Sequence, residues 1–256
     1  MECKLAQAKP QTIYQELNDK ITALADGAET FFDHQNLYIR RLYNDANKLK
    51  QANFEQGMAF LAILDCECGN LEDAIEKLQQ IIKKGDAYYW ASSLLLVASV
   101  RFLRPGIVAE HLDNLSTVPH SFFGEDVPSK CLTIGAYTHA LKAAATLERS
   151  KIEIRDKGLP SVVIDVASHM HQSGISQDTS TAIIECAGRV LARHKIRQSG
   201  VQPIYTLHND ETCAWVKIPV TPEYAAQLDL ELAEELISKG LDVEPYFVSF
   251  VGTKRA

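Results

Sequence analysis

His169-Met170-His171 is the first stretch whose residue types suggest metal chemistry. On a strand, residues two apart share a face and can chelate one ion. On a helix they stand about 200° apart and diverge. The flanking VVIDVASHMH has helical periodicity, so the two imidazoles cannot clamp one ion. Asp165 and His169, four apart, share a helix face, and a surface hydrogen bond is the role expected of them. Cys66-Glu67-Cys68 fails by the same geometry, and no second cysteine pair stands at zinc-site spacing. The chain shows no phosphate-binding glycine-rich loop, no GxSxG elbow and no HExxH motif. A nucleophilic Cys131 or Cys186 with a distant histidine has no local support. The expectation is no metal, no cofactor, no nameable catalytic residue, and a binder more than an enzyme.

Two basic clusters offer a different chemistry. Arg189, Arg193, His194, Lys195 and Arg197 make one helix end, and Lys142, Arg149, Lys151, Arg155 and Lys157 make another. Such clusters bind phosphates, or they complement helix C-termini and keep a surface soluble. No aromatics interleave with them to stack bases, and the net charge is −7. The second role is the expected one, and a nucleic-acid-associated regulator is the lesser alternative. No apolar run approaches the ~20 residues that span a bilayer, so no membrane partner is expected. The start, MECKLAQAKPQ, lacks an apolar signal region. The six scattered cysteines read as reduced thiols, and a cytoplasmic location is expected.

The elements that carry these residues read as helices. Thr12 to Ala25 has Ile13, Leu17, Ile21 and Leu24 at spacings of three and four. Glu29 to Gln51 carries Phe31, Phe32, Leu37, Tyr38, Leu42, Tyr43 and Leu49, the inward face of a terminal helix pair. Tyr88 to Leu103 is a buried helix, ended by Arg104-Pro105-Gly106, and Ile107 to Leu115 returns. Ser129 to Arg155 reads as one long helix with Ala140, Ala143, Ala144 and Leu147 along it. Ser161 to Gln172 and Thr179 to Ile196 follow, the second capped by Asp178.

The stretch Gly57 to Asp86 organises this set. Met58, Leu61, Ala62 and Leu64 form one stripe, and Ala74, Leu78, Ile81 and Ile82 form a second. Gly69-Asn70 makes the turn between them. Glu72 and Asp73 open the second helix, Lys83 and Lys84 close it, and Gly85 stops it. These residues resemble a tetratricopeptide repeat, with Ala62 and Ala74 at its two small-residue contact positions and Leu61 beside the first. Met58, Asp65 and Asp86 depart from the family's usual Trp, Tyr and Pro. A weaker second unit runs to about Pro119. The resemblance implies stacked helical hairpins with an extended concave face.

At Gly200 the grammar changes. Ile204 to His208 and Thr212 to Val220 alternate around Asn209-Asp210-Glu211, a hairpin signal. Thr221-Pro222-Glu223 starts a helix with Tyr224, Leu228, Leu232 and Leu236 on one stripe, stopped by Gly240. Val243 to Val251 is a third strand. A three-stranded sheet leaves edges, so it should dock on the last helices or pair with a second copy. Trp215 shares a face there with Cys213 and Lys217.

The expected fold is therefore mostly α: a helical-hairpin, TPR-like solenoid over 1–199 and a small α+β domain over 200–256. The expected function is a scaffold or adaptor that holds a partner protein or peptide in the helical groove. Gln56, Asp65 and Glu67 are the exposed groove positions of the best unit, with Tyr88 and Trp90 in the next and Trp215 as an anchor on the sheet. The alternatives are the nucleic-acid regulator and a metal- or small-molecule-dependent enzyme with its site between the two domains.

Overall fold

The computed structural model describes residues 10–25, 30–85, 88–117, 127–150, 159–198, 204–208, 211–242 and 245–254. The expected loose N-terminus, the Asp26-Gly27 break, the Asn209-Asp210 turn, Cys3, Lys151, Arg155 and Lys157 lie outside them. The described chain is mostly helical, with eleven α-helices and one three-stranded sheet near the C-terminus. It falls into two compact units, Met1–Leu94 and Leu95–Ala256.

In the first unit α1 (Pro10–Ala25) and α2 (Leu37–Ala52) precede α3 (Phe54–Glu67) and α4 (Leu71–Lys84). The expected helix from Glu29 starts only at Leu37. Asn36 caps it, its side chain accepting from the Tyr38 N–H at 2.8 Å. The preceding stretch instead runs against α3: the Phe32 N–H donates to the Glu67 carbonyl at 2.9 Å. Asn53 ends α2 and begins α3, its side chain accepting from the Gln56 N–H at 3.0 Å. Leu71, Ala74, Leu78 and Ile81 make the buried stripe of α4. The turn from α3 falls at Cys68-Gly69-Asn70, with Gly69 at φ +81. Phe31 packs at 3.1 Å from where a β-carbon on Gly69 would sit. Asn70 precedes α4 without a side-chain cap bond, so main-chain contacts close this turn.

α5 (Tyr88–Phe102) carries residues of both units. In the second, the expected return helix resolves into two short 3-10 turns, Pro105–Ile107 and Ala109–His111, and then α6 (Leu112–Thr117). The expected long helix is two, α7 (Val127–Thr133) and α8 (Tyr137–Ser150). Gly135 breaks it at φ +76, where a β-carbon would meet the Ser180 carbonyl oxygen at 2.7 Å. α9 (Leu159–Gln172) and α10 (Gln177–Arg193) follow. Ser176, not Asp178, caps α10, accepting from the Thr179 N–H at 3.0 Å.

β1 (Ile204–His208) pairs antiparallel with β2 (Glu211–Ile218), which pairs in parallel with β3 (Tyr246–Gly252). The parallel pair needs a crossover, and α11 (Pro222–Ser238) supplies it. Thr212, Ala214, Val216 and Ile218 alternate inward with Tyr246, Val248 and Phe250. The sheet docks on α9, α10 and α11. Asp229 of α11 covers the open side of β3, accepting from the Phe250 N–H and the Ser249 hydroxyl, each at 2.7 Å. That satisfies an edge donor and blocks pairing of β3 with another strand. Among the described residues no helix is long and apolar enough to cross a membrane.

Gly57 sits inside α3, where alanine would ordinarily stabilise a helix by about 1 kcal/mol. Here a β-carbon would collide with the Lys50 backbone of α2. Gly57→Ala therefore reverses the usual sign and costs at least ~2 kcal/mol, read as a lowered midpoint in urea unfolding.

Candidate interaction site

An open cleft of about 660 Å³ lies between α1 and α2. Pro10, Ile13, Glu16, Leu17 and Lys20 line it from α1, and Asp45, Lys48, Gln51 and Ala52 from α2. The spacing of Ile13, Leu17 and Lys20 puts one face of α1 over it. Leu17 is buried at its floor. The walls carry both signs of charge: Lys20 stands 3.6 Å from Glu16 and Lys48 2.8 Å from Asp45. An apolar floor with polar walls suits a peptide segment better than a compact cofactor.

The positions expected to line the groove lie elsewhere. Asp65 and Glu67 are not exposed: they are 3% and 1% accessible. For Asp65 the reason is a side-chain network that ties three helices. The Tyr43 hydroxyl of α2 donates to Asp65 Oδ1 at 2.7 Å, and the Lys77 ammonium of α4 lies 2.7 Å from Oδ2. Burial and the neighbouring Asp65 push the Tyr43 phenol far above its ordinary range, so it remains a neutral donor. His34 packs its ring 4.7 Å from that of Tyr43. Gln56 is half-buried in the first turn of α3, and Tyr88 and Trp90 are half-buried at the start of α5. None of these lines the cleft. Trp215 is half-buried on the outer sheet face with Cys213 and Lys217, its indole N–H donating to Thr206 Oγ1 at 3.0 Å.

The metal candidates separate as helical geometry requires. In α9 Met170 is buried and His171 exposed, while His169 is half-buried with its Nε2 shielded and unbonded. Asp165 is exposed, so the surface bond expected for it does not reach that nitrogen. Among the described residues no group of three His, Cys, Asp or Glu side chains converges. The described cysteines are all free. Burial pushes the Cys131 thiol up to about 12, the wrong direction for a nucleophile. Burial also raises Cys68, against the Tyr43 hydrogen bond, and raises Cys213 with help from Asp229.

Arg189, Arg193 and His194 of the first basic cluster are engaged by carboxylates of α11. Arg189 and Arg193 each reach Glu235 at 2.8 Å, and Lys239 reaches it at 2.9 Å. His194 pairs with Glu231 at 2.9 Å and accepts or donates with the Tyr224 hydroxyl at its other nitrogen. Arg197 is buried. In the second cluster Lys142 lies 2.8 Å from Asp113, and Arg149 donates to the Ala145 carbonyl. Among the described residues of the two clusters, Arg189, Arg193, His194 and Lys142 stand against carboxylates, while Lys195 is exposed. Sequence reasoning missed both Tyr43–Asp65–Lys77 and Glu235. The available signal was an Asp inside an otherwise apolar helix face, which demands a partner.

Comparison with protein-family models, curated proteins and solved structures finds no match.

Two outcomes follow from these networks. Tyr43→Phe removes a donor from a buried carboxylate and costs about 1–3 kcal/mol in chemical unfolding. Glu235 behaves differently with pH. Burial opposes its ionisation, yet the bonds from Lys239, Arg189 and Arg193 outweigh burial and lower it to about 2. A lowered carboxyl contributes stability above its unfolded value, and that contribution fades as pH falls through the folded one. Thermal unfolding followed from pH 5 to pH 2 should show a loss of about 2 kcal/mol that Glu235→Gln removes.

Proposed function

We propose that the chain is a protein-interaction module of the helical-hairpin kind, whose N-terminal unit holds a peptide segment of a partner protein between α1 and α2. The observation that carries this reading is the open cleft with Leu17 at its floor and Glu16, Lys20, Asp45 and Lys48 on its walls. Charges of both signs on the walls favour a segment that itself alternates acidic and basic residues. The helices behind the cleft support the tetratricopeptide-like reading. α3 and α4 fold back on each other through a three-residue turn, and Ala62 and Ala74 are both buried. Stacked hairpins of this sort present elongated surfaces, not catalytic pockets. The raised thiol of Cys131 and the neutral Tyr43 add nothing to a nucleophilic or acid–base mechanism. The pairing of Arg189 and Arg193 with Glu235 favours a protein partner over nucleic acid.

A displayed random-peptide library, panned against the full chain, tests the reading. Enriched peptides should bind ~tenfold or more weakly to Lys48→Glu and to Gln51→Trp, which fills the cleft, while the unfolding midpoint stays unchanged. Peptides that bind these variants as well as the parent chain would remove the cleft from the account.

A further inference from the structure

The C-terminal unit leaves one helix face open to solvent in a repeating pattern. α11 buries Ala225, Leu228 and Leu232. On its far side Ala226, Leu230, Ala233 and Ile237 are all exposed, with Leu230 at 68% and Ile237 at 63%. Their spacing is four, three and four, the interval of a two-helix seam. Glu223, Gln227 and Glu234 border it and are exposed as well.

The order of sizes matters more than the apolarity. Along the helix the seam reads small, large, small, large. Run antiparallel against itself, the same series reads large, small, large, small. A two-fold axis between Glu231 and Leu232 therefore sets Leu230 against the partner's Ala233 and Ala226 against the partner's Ile237. Each large side chain meets a small one. A two-fold interface requires this self-complementarity, because the same patch must serve on both sides.

The seam continues into a second apolar surface. Asp229 binds Ser249 on the outer sheet face. Ala226 and Ala233 flank Asp229 on the helix surface, three and four residues away. Beyond Ser249 the outer face carries Phe247 and Val251, 40% and 36% exposed, then Trp215 and Ile204. A 17-residue helix is about 25 Å long and ~10 Å across, so the seam alone offers roughly 250 Å². That is short of the ~800 Å² per partner of a stable complex. The three strands add roughly 300 Å² in projection, which brings the total over both copies to about 1,100 Å², the size of a weak, reversible dimer.

We infer that the chain forms a two-fold homodimer in which α11 packs antiparallel against α11 of a second copy, over the shoulder between the seam and the outer sheet face. Strand-edge pairing at β3 is not the route, since Asp229 covers that edge. The inference rests on the second unit alone and stands or falls separately from the peptide cleft.

Light scattering of the full chain, coupled to size exclusion, gives the first test. The parent chain should elute at twice 28.5 kDa at about 100 μM. Leu230→Glu with Ile237→Glu should raise the dimer dissociation constant ~tenfold or more, while the unfolding midpoint measured at a concentration low enough for both chains to be monomers stays unchanged, because both side chains are exposed. A register test follows. Leu230→Cys chains mixed with Ala233→Cys chains should oxidise to a cross-linked pair on a non-reducing gel, and neither variant should do so to that extent by itself. A monomer at that concentration, a dimer indifferent to the double substitution, or cross-linking without regard to register would overturn the inference.

Discussion

A carboxylate taken out of water must be met by donors, and helices in both units are held where they meet one. Asp65 is the clearest case. Its two oxygens are reached from α2 and α4, so one side chain fixes the relative placement of three helices. An uncompensated buried charge costs several kcal/mol, whereas the paired form is tolerated. Glu235 plays the corresponding part in the second unit, drawing Arg189 and Arg193 of α10 and Lys239 at the end of α11 together. Asp229 uses the same principle on a backbone group, holding a strand edge closed.

This arrangement shapes what the surface can do. Arg189 and Arg193, which look like part of a phosphate-binding end, pair with Glu235. Cys131 is buried and Cys213 is half-buried beside Asp229, and in both places the thiolate is disfavoured. What faces solvent is polar and mixed in sign around the α1–α2 cleft and apolar along α11. These surfaces differ in character, one carrying charges of both signs and the other an alternation of small and large apolar side chains.

Close backbone approach is the second constraint. Gly57 lets α2 and α3 meet near Asn53, Gly135 lets α8 begin against Ser180, and Gly188 of α10 faces the Leu103 carbonyl. At Gly57 and Gly188 the backbone is helical, so glycine is there for space and not for conformation. At Gly135 it supplies both, with a left-handed turn and room for the Ser180 main chain.

Much of the local architecture could be read along the chain. The α3–α4 turn at Gly69, the stop at Gly85, the Thr221 cap and the two paired strands each follow from a few adjacent residues. Capping and periodicity act within one or two turns, so sequence alone determines them. The start of α2, the break at Gly135 and the burial of Asp65 and Glu67 could not be read that way. Helical spacing sets Asp65 in line with Met58, Leu61 and Ala62, an ambiguous place for a carboxylate, and only the arrival of Tyr43 and Lys77 decides that it is interior. The parallel pairing of β2 with β3 likewise waits on where α11 carries the chain. Nor could the cleft be read from α1 or α2 taken singly, since its walls come from both helices. Local backbone preferences are written in neighbouring residues; burial, charge pairing and surface shape belong to contacts between residues distant in the chain, and only the tertiary structure decides them.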